Sequence, residues 1–240
     1  MIACCIDAAR FAARRGASPP LWGVRRVFRP VSAGILILLL TGCGTGYPGL
    51  QRIVEPNRPI HGRGFSVLPP AGENWRMKKA SDWAVVFYWI DGQAFEGPGD
   101  SPAGSRRTFY VAALALDAPP EMGSSTDAFR LFVDDFASRP DPAGRFRNLS
   151  VKSGPTTLRG TPCVLVEAVQ EDQGSPNYPP GDVLEMETRS YFCRHPGATT
   201  LIVSLAASER RPKGMPSGVD ESLRRAAQDF FDSLRLTEVR

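Results

Sequence analysis

Histidine is scarce in this chain. Among 240 residues it occurs only at His61 and His195, and both positions lie in segments that predict loops. The H-E-x-x-H and C-x-x-C motifs are missing, and no spaced cluster of histidine and cysteine has the pattern of a zinc site. A P-loop and a G-x-S-x-G elbow are missing as well. We therefore expect no metal, no other cofactor and no catalytic residues of these types.

The apolar run at residues 31–40 is short. It has ten residues, whereas a membrane-spanning helix needs roughly 20. Six arginines and only one acidic residue, Asp7, precede this run, and the glycine-rich segment 42–49 follows it. A basic stretch, a short apolar segment and small residues are typical of an export signal. The alternatives are a buried element of the domain and a signal that is cleaved without lipid attachment.

Residues 40–43, Leu-Thr-Gly-Cys, resemble the lipobox of bacterial lipoproteins. The resemblance implies that Cys43 becomes the acylated N-terminus, and the three acyl chains of such proteins hold a membrane firmly. Residue 44 is Gly and not Asp. In proteobacterial lipoproteins this implies transfer to the outer membrane, with the domain facing the periplasm.

We therefore predict that residues 1–42 are a lipoprotein signal peptide. Because its basic region is unusually long, we expect translation to begin near Leu21 or Val24, which makes the first twenty or so residues a start-site artefact. Removal of the signal leaves 23 basic and 24 acidic residues, a net charge of −1. This balance argues against a nucleic-acid partner. The pairs Lys78-Lys79, Arg106-Arg107 and Arg210-Arg211 are interpreted as solvated surface.

Two cysteines remain in the mature chain besides Cys43. Cys163 and Cys193 both lie in predicted strands, so they would face each other if those strands pair. In an oxidising compartment such a pair can form a disulfide. The alternative is two separate buried thiols.

The mature chain predicts one α+β domain behind a tether. Residues 43–62 are interpreted as a lipidated flexible tether, and residues 63–240 as a single domain. The predicted strands lie near 64–68, 83–90, 108–116, 147–157, 161–171, 184–194 and 199–207, with tight turns at Gly160 and at Pro196-Gly197. Amphipathic helices are predicted at 124–139 and at 219–234, the second with capping-box spacing from Ser217 to Asp220. We expect an antiparallel sheet of about six or seven strands packed by two main helices.

This element order, together with segments 64–70 (GFSVLPP) and 230–234 (FFDSL), resembles the PsbP-like α/β/α sandwich. That family includes lumenal subunits of photosystem II and many small bacterial lipoproteins, and its members are mainly non-catalytic binding or assembly factors. The resemblance covers about residues 64–238. It implies a binding module, and no photosystem-binding residue can be matched in this sequence.

The candidate contact surface comprises an aromatic residue, a loop and two carboxylates. Trp75 lies outside the predicted strands and is interpreted as a surface aromatic. The polar loop 173–182, with Asn177 and Tyr178, is longer than a hairpin requires. Glu185 and Glu187 share one face of a strand. We predict a non-enzymatic module that binds an envelope protein or peptidoglycan; the alternatives are an envelope hydrolase that uses Glu185 and Glu187, and a small-ligand carrier.

Overall fold

An eight-stranded antiparallel sheet forms the centre of the fold. The computed structural model describes residues 50–239 apart from 90–106, 120–121, 174–180 and 182. The predicted signal peptide and Cys43 lie outside the described residues, and so do Asn177 and Tyr178. Within the described part, no helix has the length and apolar character needed to cross a membrane.

The strands of the described residues are β1 Gln51–Arg52, β2 Ile60–Gly62, β3 Phe65–Val67, β4 Trp75–Ser81, β5 Ala84–Trp89, β6 Thr108–Asp117, β7 Phe146–Leu158, β8 Thr161–Asp172, β9 Leu184–Arg194, β10 Leu201–Pro212 and β11 Arg235–Leu236. The large sheet has the strand order β1-β4-β5-β6-β10-β9-β8-β7, and each strand is antiparallel to its neighbours. Strands β2, β3 and β11 form a second, three-stranded sheet in the order β11-β3-β2.

The hairpin between β7 and β8 closes through two residues, Arg159 and Gly160. Leu158 pairs with Thr161 on either side of them. Their φ angles are 50° and 81°, and positive φ at both central residues is the requirement of a type I′ turn. The turn predicted at Gly160 is therefore confirmed.

Helix α1, Thr126–Ser138, packs on one face of the large sheet. The side chain of Ser125 caps it by accepting a hydrogen bond from the backbone N–H of Ala128. Its apolar stripe meets the even-numbered side chains of β8, β9 and β10. The ring of Phe136, for example, lies 5.8 Å from that of Phe192 in an edge-on contact.

Helix α2, Glu221–Asp232, packs on the opposite face. Phe230 contacts Phe87 of β5 with ring centroids 5.7 Å apart, and Phe231 contacts Tyr191 of β9 at 5.1 Å. The N-cap is Asp220, whose carboxylate accepts from the backbone N–H of Leu223. The helix therefore has its N-cap at Asp220, whereas the predicted capping box placed the N-cap at Ser217.

The fold is thus α+β, with one helix on each face of an antiparallel sheet, as predicted. The strand count is higher than expected, and residues 65–67 belong to the small sheet. The boundary between tether and domain is also wrong, since residues 51–52 pair with β4 and residues 60–62 pair with β3. These strands have two and three residues, which is too short for alternation of polar and apolar residues to predict them.

Candidate functional site

The guanidinium of Arg211 contacts three carboxylates where β9 and β10 run side by side. In the register of this pair, Glu185 lies opposite Arg211 and Glu187 lies opposite Glu209. Because side chains alternate along a strand, all four project from the same face of the sheet. Arg211 lies 3.1 Å from Glu209 and 2.5 Å from Glu185 (nitrogen to oxygen), and it also contacts Glu187. We call these four residues the Arg211 cluster.

Glu209 is the buried centre of the Arg211 cluster, with 3% of its surface exposed. Besides Arg211, its carboxylate contacts the Nε of Arg107 at 3.2 Å. It also accepts hydrogen bonds from the hydroxyl of Ser217 at 2.7 Å and from the backbone N–H of Gly218 at 2.8 Å. The carboxylate therefore fixes the segment that leads into α2.

The charge balance of the cluster explains how Arg211 can be buried. Burial opposes the charged form of Arg211, but the hydrogen bond to Glu187 and the charges of Glu209 and Glu185 outweigh it, so the pKa of Arg211 is raised. Its Nε also donates to the carbonyl oxygen of Met215 at 2.7 Å. The arrangement is that of an ion network that holds a loop, with each carboxylate accepting from a permanent cation. The interpretation of Arg211 as solvated surface is therefore wrong.

A groove of about 810 Å³ lies beside this cluster, between α2 and the sheet. We call it the α2 groove. Its walls and floor combine charged side chains with apolar ones. The residues that line it are Phe109, Ser150, Lys152, Glu167, Ala168, Val169, Glu187, Thr188, Arg189, Ala207, Glu209, Ser217, Val219, Glu221, Arg224, Arg225, Ala227, Gln228 and Phe231.

Trp75 is not a surface residue. It begins β4, only 2% of it is exposed, and its ring lies 6.0 Å from that of Phe109. The prediction of a surface aromatic is therefore wrong. The segment Trp75-Arg76-Met77-Lys78 alternates apolar and charged side chains, and this alternation indicates a half-buried strand with Trp75 facing inward.

A second group of buried carboxylates lies at the end of β8. Glu171 contacts Lys213 at 2.7 Å and Arg147 at 2.5 Å. The hydrogen bonds from Lys213 and Gln173, with that of Arg147, outweigh burial and lower the pKa of Glu171 from 4.5 to about 2. Asp172, on the opposite face, is fully buried and accepts two hydrogen bonds from Arg145, at 2.6 and 2.7 Å. This pair has the parallel, two-point geometry that makes such contacts strong.

The two cysteines of strands β8 and β9 face each other. Cys163 pairs with Cys193 in the register of the sheet, and their sulfur atoms form a disulfide. Both residues lie in the core beneath α2, with 4% and 0% of their surfaces exposed. His195, two residues further on, is also buried. In the described part of the chain, no group of three or more histidine, cysteine or acidic residues could hold a metal ion.

The architecture thus belongs to the α+β class in which helices cover both faces of an antiparallel sheet. No protein-family model and no curated protein matches the chain. Among solved structures, the chain is similar to LpqN of Mycobacterium tuberculosis, which is described as involved in cell envelope biogenesis. The two share 13% sequence identity, and the TM-score is 0.38. The similarity covers 75% of this chain and 90% of that chain. The chain is also similar to the Ran-binding protein Mog1p of Saccharomyces cerevisiae (10% identity, 75% and 94% covered, TM-score 0.38) and to the cyanobacterial PsbP protein CyanoP of Synechocystis sp. PCC 6803 (14% identity, 82% and 99% covered, TM-score 0.34). These similarities concern the fold.

Proposed function

We propose that this protein is a lipid-anchored, non-catalytic binding or assembly module of the bacterial cell envelope. Acylation of Cys43 would hold it at the outer membrane, with the domain facing the periplasm. The structural observation that supports the proposal most is the disulfide between Cys163 and Cys193. Disulfides persist in oxidising compartments and are rare in the cytosol. The bridge therefore agrees with the export signal inferred independently from residues 31–43.

The state of the candidate carboxylates supports the non-catalytic part of the proposal. Glu185 and Glu187 were the residues of the hydrolase alternative, and both are engaged by Arg211. An acid–base catalyst must be free to contact its substrate, whereas both of these side chains are held against the guanidinium of Arg211. The groove beside them remains open to a partner, an envelope protein or peptidoglycan.

The test is metabolic labelling with an alkyne fatty acid in a bacterial host that processes lipoproteins. We expect the wild-type chain and the C163A/C193A control to incorporate the label and to fractionate with the outer membrane. Cys43→Ser should lose the label. The control removes the other two cysteines of the predicted mature chain, so it separates acylation of residue 43 from acylation of any cysteine. Label retained by Cys43→Ser, or an unmodified mass that still includes residues 1–42, would overturn the proposal.

A further inference from the structure

The predicted anchor at Cys43 is close in sequence to the first strand of the sheet. Strand β1 begins at Gln51 and pairs with β4 at one edge. A fully extended chain advances at most about 3.6 Å per residue, so the path from Cys43 to Gln51 covers no more than roughly 29 Å. The eight strands together span roughly 34 Å at about 4.8 Å each. An acylated Cys43 would therefore keep the β1 edge of the sheet near the bilayer surface.

The segment that forms this edge is basic. Residues 50–89 contain six basic and three acidic residues, a net charge of +3. The mature chain as a whole has a net charge of −1, so the residues after 89 carry −4. The positive charge of the domain is thus concentrated in the segment that follows the predicted anchor.

Three of these cations share one face of the sheet. Arg52 lies directly opposite Arg76, and Lys78 follows two residues later on the same side of β4. Arg52 and Lys78 are exposed, and neither has an ion-pair partner among the described residues. The guanidinium of Arg76 donates to the backbone carbonyl oxygens of Glu73 and Trp75, at 2.7 and 2.9 Å. Because like charges directly opposite each other destabilise a sheet, a bound anion would stabilise this arrangement.

The same face has no carboxylate along the rows that contain these cations. The two rows, followed from β4 to β10, are Arg76-Tyr88-Tyr110-Ser208 and Lys78-Val86-Ala112-Ala206. The acidic residues of segment 50–89 lie outside β1 and β4. Glu55 is bound to Arg58 at 3.2 Å, and Glu73 and Asp82 lie before and after β4. The charge of the three cations is therefore not balanced within their own strands.

An exposed apolar side chain adjoins these cations. Val54 follows Arg52 by two residues and is 84% exposed, the highest value among the large hydrophobic residues of the described part. Cations beside an apolar side chain suit the boundary between lipid headgroups and acyl chains. We call Arg52, Val54, Arg76 and Lys78 the β1 surface.

We propose that the β1 surface docks on anionic phospholipid headgroups of the membrane that holds the Cys43 lipid. This inference rests on the proposed function as a lipid-anchored module and names the surface that faces the bilayer. Each lysine or arginine near an anionic membrane strengthens binding by about 5-fold. Because the anchor already places the domain beside the membrane, the effective concentration of headgroups is high. Three cations are then sufficient to fix the orientation of the domain.

The test is chemical labelling of lysines in the purified full-length product, reconstituted in vesicles. One vesicle type contains phosphatidylcholine alone, and the other contains phosphatidylcholine with phosphatidylglycerol. A water-soluble acetylating reagent is added, and mass spectrometry measures the rates at Lys78 and Lys152. Lys152 is the internal control, since it is also an exposed strand lysine but lies on β7, at the opposite edge. We expect phosphatidylglycerol to slow acetylation of Lys78 by about 5-fold or more and to leave Lys152 unchanged, with the effect shrinking at high salt.

A pair of variants checks that the protection depends on the β1 surface. R52E places an anion beside Lys78 and should remove most of its protection. R225E makes the same change in charge on α2, away from the β1 surface, and should retain the protection. If R52E unfolds, R52Q replaces it.

Equal acetylation of Lys78 on both vesicle types, equal protection of Lys78 and Lys152, or an equal loss in R225E would overturn the inference. Protection by peptidoglycan fragments but not by phosphatidylglycerol would also overturn it, since it would assign the cations to another envelope component. The fatty-acid labelling of Cys43 is read out separately. An acylated chain with unprotected Lys78 would retain the anchor and reject the docking surface. An unacylated chain in which added phosphatidylglycerol vesicles protect Lys78 would reject the anchor and retain the surface.

Discussion

His195 joins the turn between β9 and β10 to Thr237, near the end of the chain. Its Nδ1 accepts a hydrogen bond from the backbone N–H of Gly197 at 3.1 Å. Nε2, 2.8 Å from the carbonyl oxygen of Thr237, must therefore carry the proton and donate it. The backbone N–H of Thr237 in turn donates to the carbonyl oxygen of Gly64 at 3.0 Å. One imidazole thus connects the central sheet to the segment that follows β11.

The first prediction concerns this connection. His195→Ala removes both hydrogen bonds of a side chain that is 4% exposed, so the free energy of unfolding should fall by about 1–3 kcal/mol. Hydrogen exchange at Leu236 and Thr237 should also accelerate, because the segment loses its contact with the β9–β10 turn. The control His61→Ala changes an exposed histidine of β2 and should leave urea unfolding unchanged within about 0.5 kcal/mol. Equal unfolding midpoints for the two variants would show that the His195 contact contributes nothing.

Elements with strong patterns could be predicted from the sequence. Phe129, Phe132, Val133 and Phe136 repeat with helical spacing and do form the apolar stripe of α1 that packs on the sheet. The long strands β7 to β10 have alternating polar and apolar residues or are bounded by turn residues, as at Gly160. Strand β4 was missed because its outward side chains are charged, although Trp75 and Met77 alternate with them in the manner of a half-buried strand.

The candidate site was harder to predict because it depends on register across strands. Sequence analysis identified Glu185 and Glu187 but ended β10 at residue 207, five residues before its observed end at Pro212. Glu209 and Arg211 have the same parity as Leu205, so an extension of the strand would have placed them on the α2 face. Arg211 lies opposite Glu185 because of the register in which β9 pairs with β10. The residue pattern within either strand alone does not predict this register.

The second prediction tests the Arg211 cluster as a structural network. Arg211→Met leaves Glu185, Glu187 and Glu209 without their shared cation, and removal of one partner from a buried ion pair costs roughly 3 kcal/mol. We expect a loss of this size in chemical unfolding. Arg224→Met is the matched control, because its ion pair with Glu221 is exposed and 3.7 Å long and such pairs contribute about 0–1 kcal/mol. A loss below that of the control would mean that the three carboxylates are solvated and do not need Arg211.

The third prediction concerns acid stability. The pKa of Glu171 is lowered from its ordinary value of 4.5 to about 2 in the folded chain. Because the folded value is the lower one, this carboxylate stabilises the fold fully above the unfolded pKa, and its contribution is lost as the pH falls from 4.5 towards 2. The melting temperature of Glu171→Gln should therefore depend less on pH in this window than that of the wild type. Glu73→Gln, an exposed control, should retain the wild-type slope, and an identical slope in all three proteins would contradict the assignment.

The fourth prediction concerns the disulfide. Cys163 and Cys193 are 30 residues apart in sequence, and closing a loop of that length in the unfolded chain corresponds to about 3.5 kcal/mol in the loop-entropy model. Protein from the cell envelope should therefore melt at a lower temperature after reduction. The double variant C163A/C193A should melt near the reduced wild type and show no further response to reductant. That variant separates the effect of the bridge from side effects of the reducing agent, because both thiols are missing from it. Alkylation of both cysteines in denatured protein that was never reduced would show that they are free thiols, and it would remove the main structural support for export from the cytoplasm.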